Sequence, residues 1–361
     1  MSEDGRKEKK GNMKANRVVC SLLCTTCISV MLWFASNRTI VIADVSQEQS
    51  GLSVNVAQPG KDFPDSEIPM SKTYDVQGSF CVPLPEGVKA ENVFMENRYM
   101  DRELWLYIQS DDVCFYKENE VGGDISPILW GRSEEQEEGM LLKFGMNHVL
   151  EYRSTMEGNE LIIAWYEPHE LYEYIIVLDP AGGGRESGAG VNELWEKDVA
   201  LQVARQVQRK FALQDVRLYV TRTEDVDVPP EDRIGLANEV NGDLYIRLCT
   251  VADPDNAETY GILGFYNEEF FIPDFGNVDL ANIAVREVTI ASSNRALGLE
   301  AADEYSILKG LRMPAAEISL GCLSNPQEGT LLGQESYQEK LAEGIIAAIE
   351  QAVRETQDLK R

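Results

Sequence analysis

Ile175-Ile176-Val177-Leu178-Asp179-Pro180-Ala181-Gly182-Gly183-Gly184 is the stretch whose reading decides the fold. An apolar run closed by Asp-Pro and followed by small residues reads as a buried strand that ends in a turn. A helix start follows at Trp195-Glu196-Lys197-Asp198. A buried strand that passes through a turn into a helix is where α/β proteins build sites. This turn has the backbone of a site and almost no side chains to do chemistry.

The alternation continues towards the C-terminus. Lys197 to Leu213 reads as a helix, because Val199, Val203, Val207 and Phe211 recur at i+4 and give one apolar face. Val216 to Val220, Leu244 to Cys249, Gly261 to Tyr266 and Ala315 to Leu320 read as strands. Pro230 to Asn241, Leu280 to Leu297 and Tyr337 to Thr356 read as helices. Strand and helix in turn imply an α/β class protein, a three-layer sandwich on a mostly parallel sheet, over residues 174–361. No internal repeat is evident.

Towards the N-terminus the pattern changes. Residues 71–170 carry short apolar runs: Phe80 to Leu84, Leu104 to Ile108, Val113 to Tyr116, Leu141 to Phe144, His148 to Tyr152 and Leu161 to Tyr166. Turn residues such as Val121-Gly-Gly-Asp and Glu157-Gly-Asn separate them. That spacing predicts a small β-rich domain, a sandwich or half-barrel, with no catalytic constellation of its own. The acidic run Glu134 to Glu138 reads as a solvated loop. Residues 45–70, mixed in Ser, Gln, Gly, Pro and Asp, read as a linker.

Residues 1–17 are polar and carry Arg6, Lys7, Lys9, Lys10, Lys14 and Arg17. Val18 to Ser36 is an uncharged apolar run of about 19 residues, long enough to cross a bilayer as a helix. The basic flank predicts a single-pass transmembrane anchor over 18–36, with 1–17 as a cytoplasmic tail and the main domains extracytoplasmic. The alternative is a cleaved signal peptide with Ala43 at the cut and a secreted chain.

Composition excludes several classes. The 361 residues carry 33 basic and 61 acidic side chains, a net charge of −28, which argues against a nucleic-acid partner. Histidine occurs only at His148 and His169, so the commonest metal ligand and near-neutral acid/base is scarce. Of seven cysteines, Cys20, Cys24 and Cys27 fall in the apolar N-terminal run, and Cys81, Cys114, Cys249 and Cys322 lie beyond it. No Cys-x-x-Cys pair occurs in that later part, so no zinc knuckle or thioredoxin-like motif is signalled. The glycines at 182–184 lack the Lys and Ser/Thr of a phosphate-binding P-loop.

The second half resembles the zinc-dependent N-acetylmuramoyl-L-alanine amidases, bacterial cell-wall hydrolases of amidase type 3 with a zinc-exopeptidase-like fold. The resemblance runs from about Tyr174 to the C-terminus. Its blocks are Ile176-Val-Leu-Asp-Pro with the glycine turn, Glu196-Lys-Asp-Val-Ala-Leu201, Thr221-Arg-Thr-Glu-Asp225, Asp232-Arg-Ile-Gly-Leu-Ala-Asn238, Asp243-Leu-Tyr-Ile246, Tyr305-Ser-Ile-Leu-Lys-Gly, Met313-Pro-Ala and Gly321-Cys-Leu-Ser-Asn-Pro-Gln-Glu328. No single block is specific; their order and spacing are. The β-rich segment vaguely resembles the accessory domains that precede such amidases and help localise them.

The resemblance implies a zinc ion held by two histidines and a glutamate, with a further glutamate as acid and base. Such a zinc takes three protein ligands and keeps one open position for water. The first histidine position is Gly182, which offers no ligand. The glutamate ligand corresponds to Glu196. The second histidine position is Cys249, and the catalytic glutamate position is Ser319, with Cys322 at the aromatic place. Glu196 and Cys249 are competent metal ligands, but they remain one short of the set, so no resident zinc is expected. Neither His148 nor His169 is placed to supply the third.

Glu317 is a weak alternative for the catalytic carboxylate. It lies two residues before Ser319 on one face of the same strand, about 6.6 Å back, and reaches the cavity only if the strand slips by two. The plainer reading pairs it with a base such as Arg247. Cys249 as a nucleophile would need a base beside it; a small packed residue is the plainer reading. A Cys249–Cys322 disulfide stays open, as does pairing of Cys81 and Cys114.

Three functions follow as alternatives. The first is a membrane-anchored amidase homologue that has lost zinc catalysis and acts in wall remodelling by binding peptidoglycan, a partner hydrolase, or a division or sporulation protein. The second is an active amidase with an atypical metal site at Glu196 and Cys249. The third is a structural envelope protein. Under the first, Gly182→His, Cys249→His and Ser319→Glu together are expected to restore zinc binding.

Overall fold

An unbroken apolar strand needs cover on both faces, and the fold supplies it unequally. The structure, a computed structural model, describes residues 66–72, 78–253 and 255–359. The expected anchor at 18–36, the basic tail and residues 45–65 of the expected linker lie outside them. Among the described residues no helix is long and apolar enough to cross a membrane.

In the α/β domain, strands and helices are numbered here from its start. β1 is Tyr174–Pro180, α1 Glu196–Lys210, β2 Val216–Val220, α2 Pro230–Glu239, β3 Leu244–Val251 and β4 Ile262–Tyr266. α3 is Asn277–Ser292, β5 Ala296–Ala301, β6 Ala315–Cys322, α4 Pro326–Leu332 and α5 Glu335–Leu359. The sheet order is β2-β1-β3-β6-β4-β5. β1 pairs in parallel with β2 and β3, and β3 with β6; only the β4–β6 pair is antiparallel.

Alternate residues of β1 serve different layers, as the two-residue period of a strand requires. Ile176 and Leu178 pack with Val199, Val203 and Val207 of α1 and with apolar residues of α3 and α5. Ile175 and Val177 face Leu236 and Ala237 of α2 and the turn at Leu308 and Leu311. That second layer is thin, and the N-terminal domain completes it with Val149, Tyr99 and Met100.

The N-terminal domain is a sandwich of two five-stranded sheets around one apolar core. Ser66–Glu67 and the first residue of Met70–Lys72 fall in the expected linker but belong to edge strands: Ser66 pairs with Ser133, and Met70 with Val121. The expected loop at Glu134 to Glu138 is instead the end of strand Ile128–Gln136, which turns at once into Gly139–Met146. A charged stretch with one face in water fits a strand as readily as a loop. The expected strand at Val113 to Tyr116 is a loop with a single 3₁₀ turn at Phe115–Lys117.

Polar contacts tie the two domains along β2, the free edge of the large sheet. The Tyr99 hydroxyl accepts from Val220 N at 3.1 Å and lies 2.9 Å from Val220 O as a donor, so one side chain satisfies both edge groups. Glu151, buried in the sandwich, accepts from Arg217 Nε at 2.7 Å and Tyr219 OH at 2.6 Å. Arg102 pairs with Glu239 at 2.6 Å, near the surface. Glu151→Gln keeps the shape but removes the charge from a buried pair. It is expected to cost about 1–3 kcal/mol in denaturant unfolding, against at most about 1 kcal/mol for Arg102→Ala. Equal, negligible losses would mean that the domains do not dock this way in solution.

Candidate active site

The site is built where β1 stops. Asp179 is fully buried beneath the turn. Its carboxylate accepts from Thr221 Oγ1 and from Tyr245 OH at 2.6 Å, and pairs with Arg233 and Arg247. Burial alone would push this acid up; the two guanidiniums and two hydroxyls outweigh it and hold the carboxyl down at about 2.

Two arginines grip the turn that follows. Arg222 donates to Pro180 O at 3.1 Å and Ala181 O at 2.6 Å. Arg233 donates to Pro180 O at 2.9 Å and Gly182 O at 2.6 Å. The next residues fold back, with Gly183 and Glu186 exchanging both backbone hydrogen bonds at 2.8 and 3.0 Å. Asp225 accepts from Gly184 N at 2.8 Å and Asp227 from Arg185 N at 2.9 Å, while Lys197 Nζ reaches Gly184 O at 2.9 Å.

Gly182 sits at φ +66°, and a Cβ there would meet Glu186 O at 2.5 Å. The backbone and its neighbours both demand glycine at this point.

The other predicted residues gather on one side of the turn. Glu196 opens α1; its oxygens accept from Ala189 N at 3.2 Å and Thr250 N at 3.3 Å, and burial raises its carboxyl. Cys249 and Ser319 are register partners on β3 and β6, as are Arg247 and Glu317. Ser319 is fully buried and donates to Gly321 O at 3.2 Å. Glu317 lies 3.2 Å from Arg247 Nε, the plainer pairing of the sequence reading. Its carboxylate is also close enough to Cys249 to raise that thiol. The expectation that Glu317 needs a two-residue slip to reach the site is therefore corrected. The register between these pairs is unbroken, and a glutamate is long enough to cross the diagonal between strands. Burial first, then Glu317 and Glu196, push the Cys249 thiol well up; burial likewise raises Glu317.

Cys249 and Cys322 are free thiols, as are Cys81 and Cys114. Cys322 faces Ser324 Oγ at 3.1 Å. Both histidines lie elsewhere, near the domain junction: His148 Nε2 is 2.8 Å from Glu167, and His169 Nε2 is 2.9 Å from Asn241 O. Sequence reasoning missed the arginine grip and the Asp225–Asp227 brace. Their signal was present in Thr221-Arg-Thr-Glu-Asp225 and Asp232-Arg, which it used only as markers of resemblance.

Comparison with known proteins decides the family. Residues 176–351 match the N-acetylmuramoyl-L-alanine amidase family model. Over 212 residues the chain is 31% identical to the germination-specific N-acetylmuramoyl-L-alanine amidase of Bacillus subtilis, covering 55% of this chain and 86% of that one. The chain belongs to the N-acetylmuramoyl-L-alanine amidase family. It is also 27% identical over 184 residues to the probable cell wall amidase LytH of Staphylococcus aureus, spanning 50% of this chain and 58% of LytH. An N-acetylmuramoyl-L-alanine amidase structure from Clostridium difficile 630 is 28% identical and covers 50% of this chain and 97% of its own, with a TM-score of 0.47.

The zinc that the amidase family generally uses does not fit the donors present. Gly182 has none. Cys249 and Glu196 can each ligate a metal, but two ligands remain one short of the three protein ligands a catalytic zinc takes. Ser319 spends its hydroxyl proton on Gly321 O. Among the described residues, no three His, Cys, Asp or Glu side chains gather as a metal-holding group.

The same geometry opposes the expected restoration of zinc by three substitutions, because a Cβ at residue 182 would meet Glu186 O at 2.5 Å.

Proposed function

We propose that this amidase-family protein acts at the cell wall by binding peptidoglycan without hydrolysing it, held at the membrane by residues 18–36 with its main domains outside. One observation carries the reading: the first zinc-ligand position is a glycine that the turn requires. A ligand set of Glu196 and Cys249, one short of three, and a serine at the catalytic-glutamate position support it. Docking of the sandwich onto the sheet edge supports a role in presenting the domain to wall or partner. The name of the B. subtilis relative makes a germination-linked wall process the first context to examine.

The test uses the full chain and purified sacculi. Co-sedimentation with the sacculi is expected, with no release of stem peptides bearing a new N-terminal alanine. Release of such peptides would replace this reading with an active amidase working through an atypical metal site at Glu196 and Cys249. Failure to sediment would point to a structural envelope role.

A further inference from the structure

Three aromatic side chains stand out in water at one end of the large sheet. Phe270 is 41% exposed, Phe271 83% and Tyr305 91%. They belong to two segments, 267–275 after β4 and 302–310 after β5. The segments are joined to each other. Ala302 N donates to Tyr266 O at 2.8 Å, Asn267 Nδ2 to Leu308 O at 3.5 Å, and Lys309 pairs with Glu269 at 2.9 Å. The first segment is also pinned from beneath. Asn277 Nδ2 donates to Asn267 O and to Phe270 O, both at 3.0 Å, and its Oδ1 accepts from Ala315 N of β6 at 2.9 Å. This segment does bury one ring, Phe275, yet leaves Phe270 and Phe271 outside. Single exposed apolar residues need no explanation, whereas several on one pinned platform mark an interaction surface.

The platform lies away from the glycine turn. β4 runs antiparallel to β6, with Leu263 opposite Ser319 and Tyr266 opposite Ala316, so β4 ends beside the start of β6. The turn follows the other end of the parallel strands β1, β3 and β6. A partner seated on the platform leaves the candidate site open.

Charge selects the occupant. Residues 267–275 and 302–310 carry five acids and one base, Lys309, which Glu269 already holds. Glu268, Asp274 and Glu304 are exposed and enter no ion pair among the described residues. Ring faces and carboxylates both attract cations, and a guanidinium serves both, stacking on the one and pairing with the other. An anionic bilayer surface would be repelled, as would a second copy presenting the same acids.

We propose that this aromatic, acidic platform docks a partner protein through a segment in which basic and apolar side chains alternate.

The probe is a synthetic peptide of alternating arginine and leucine, titrated calorimetrically into the full chain in phosphatidylcholine nanodiscs. A peptide of alternating arginine and serine is the control. Phe271→Ser with Tyr305→Ser leaves every charge in place and is expected to weaken the arginine–leucine peptide about tenfold or more. Glu268→Lys with Glu304→Lys is expected to do the same. All four residues are exposed, so the melting temperatures should match the parent. The arginine–serine peptide should bind the parent more weakly and be indifferent to loss of the rings. An arginine–leucine affinity that either double variant leaves unchanged overturns the proposal. Quenching of Phe271→Trp by brominated lipid in the disc would assign the rings to the membrane instead. Self-association of the parent that the serine variant loses would assign them to a second copy.

Discussion

Asp179→Ala is expected to lower the unfolding free energy by about 3–5 kcal/mol, the cost of leaving buried arginines without their counter-charge. The site gives the reason. Arg233 is nearly solvent-free and shares the Asp179 carboxylate with Arg247. Arg247 keeps Glu317 after the substitution, whereas Arg233 keeps only carbonyls and the Thr221 hydroxyl. Denaturant unfolding measures the loss directly. A loss below about 1 kcal/mol, the scale of a surface pair, would contradict a buried carboxylate at the centre of the site.

The same residue fixes a pH dependence. Its carboxyl lies at about 2 when folded, against an ordinary 3.8. A depressed folded pKa stabilises above the unfolded value, and the contribution disappears as pH falls through the folded one. Between pH 4 and pH 2 the parent should therefore lose about 2 kcal/mol more than Asp179→Asn loses. The comparison with the variant matters because 61 acidic residues titrate across the same interval. Parallel curves for the two proteins would remove Asp179 from the account.

Gly182→His is expected to cost roughly 2–5 kcal/mol, summing left-handed backbone strain and overpacking. The new Cβ would fall 2.5 Å from Glu186 O, a backbone atom held by its own reciprocal bonds to Gly183. The triple variant with Cys249→His and Ser319→Glu should carry the same penalty and bind no zinc in a metal assay. Arg247, whose charge bears on residue 249, would also repel an incoming dication. A triple variant that folds as well as the parent and takes up one zinc would show that the turn can open, and would weaken the reading of a closed site.

Legibility differed from element to element for physical reasons. β1, β2 and the core of α1 were plain because buried strands and one-faced helices impose short periods on the chain. β5 was missed. Ala296-Leu-Gly-Leu-Glu-Ala301 is an exposed edge with good helix formers, so its pattern continued that of α3. The helix in fact stops where Ser293 turns left-handed, at φ 55°. The residue types at Gly182, Cys249 and Ser319, and hence the expectation built on them, were readable residue by residue. The reach of Glu317 was not, since it depends on the register of β3 against β6.

The sequence by itself determined most of the strand and helix alternation of the second half, the family and the residue types at the family's metal positions, because each is written in local period or residue type. Tertiary structure alone decided that the glycine turn is closed, through arginines 41 to 53 positions away from the carbonyls they hold. It alone decided that Arg247 and Glu317 pair beside Cys249, and that a sandwich caps the edge of β2. Those outcomes depend on chain segments meeting in space, and no short-range pattern in the sequence encodes which groups will meet.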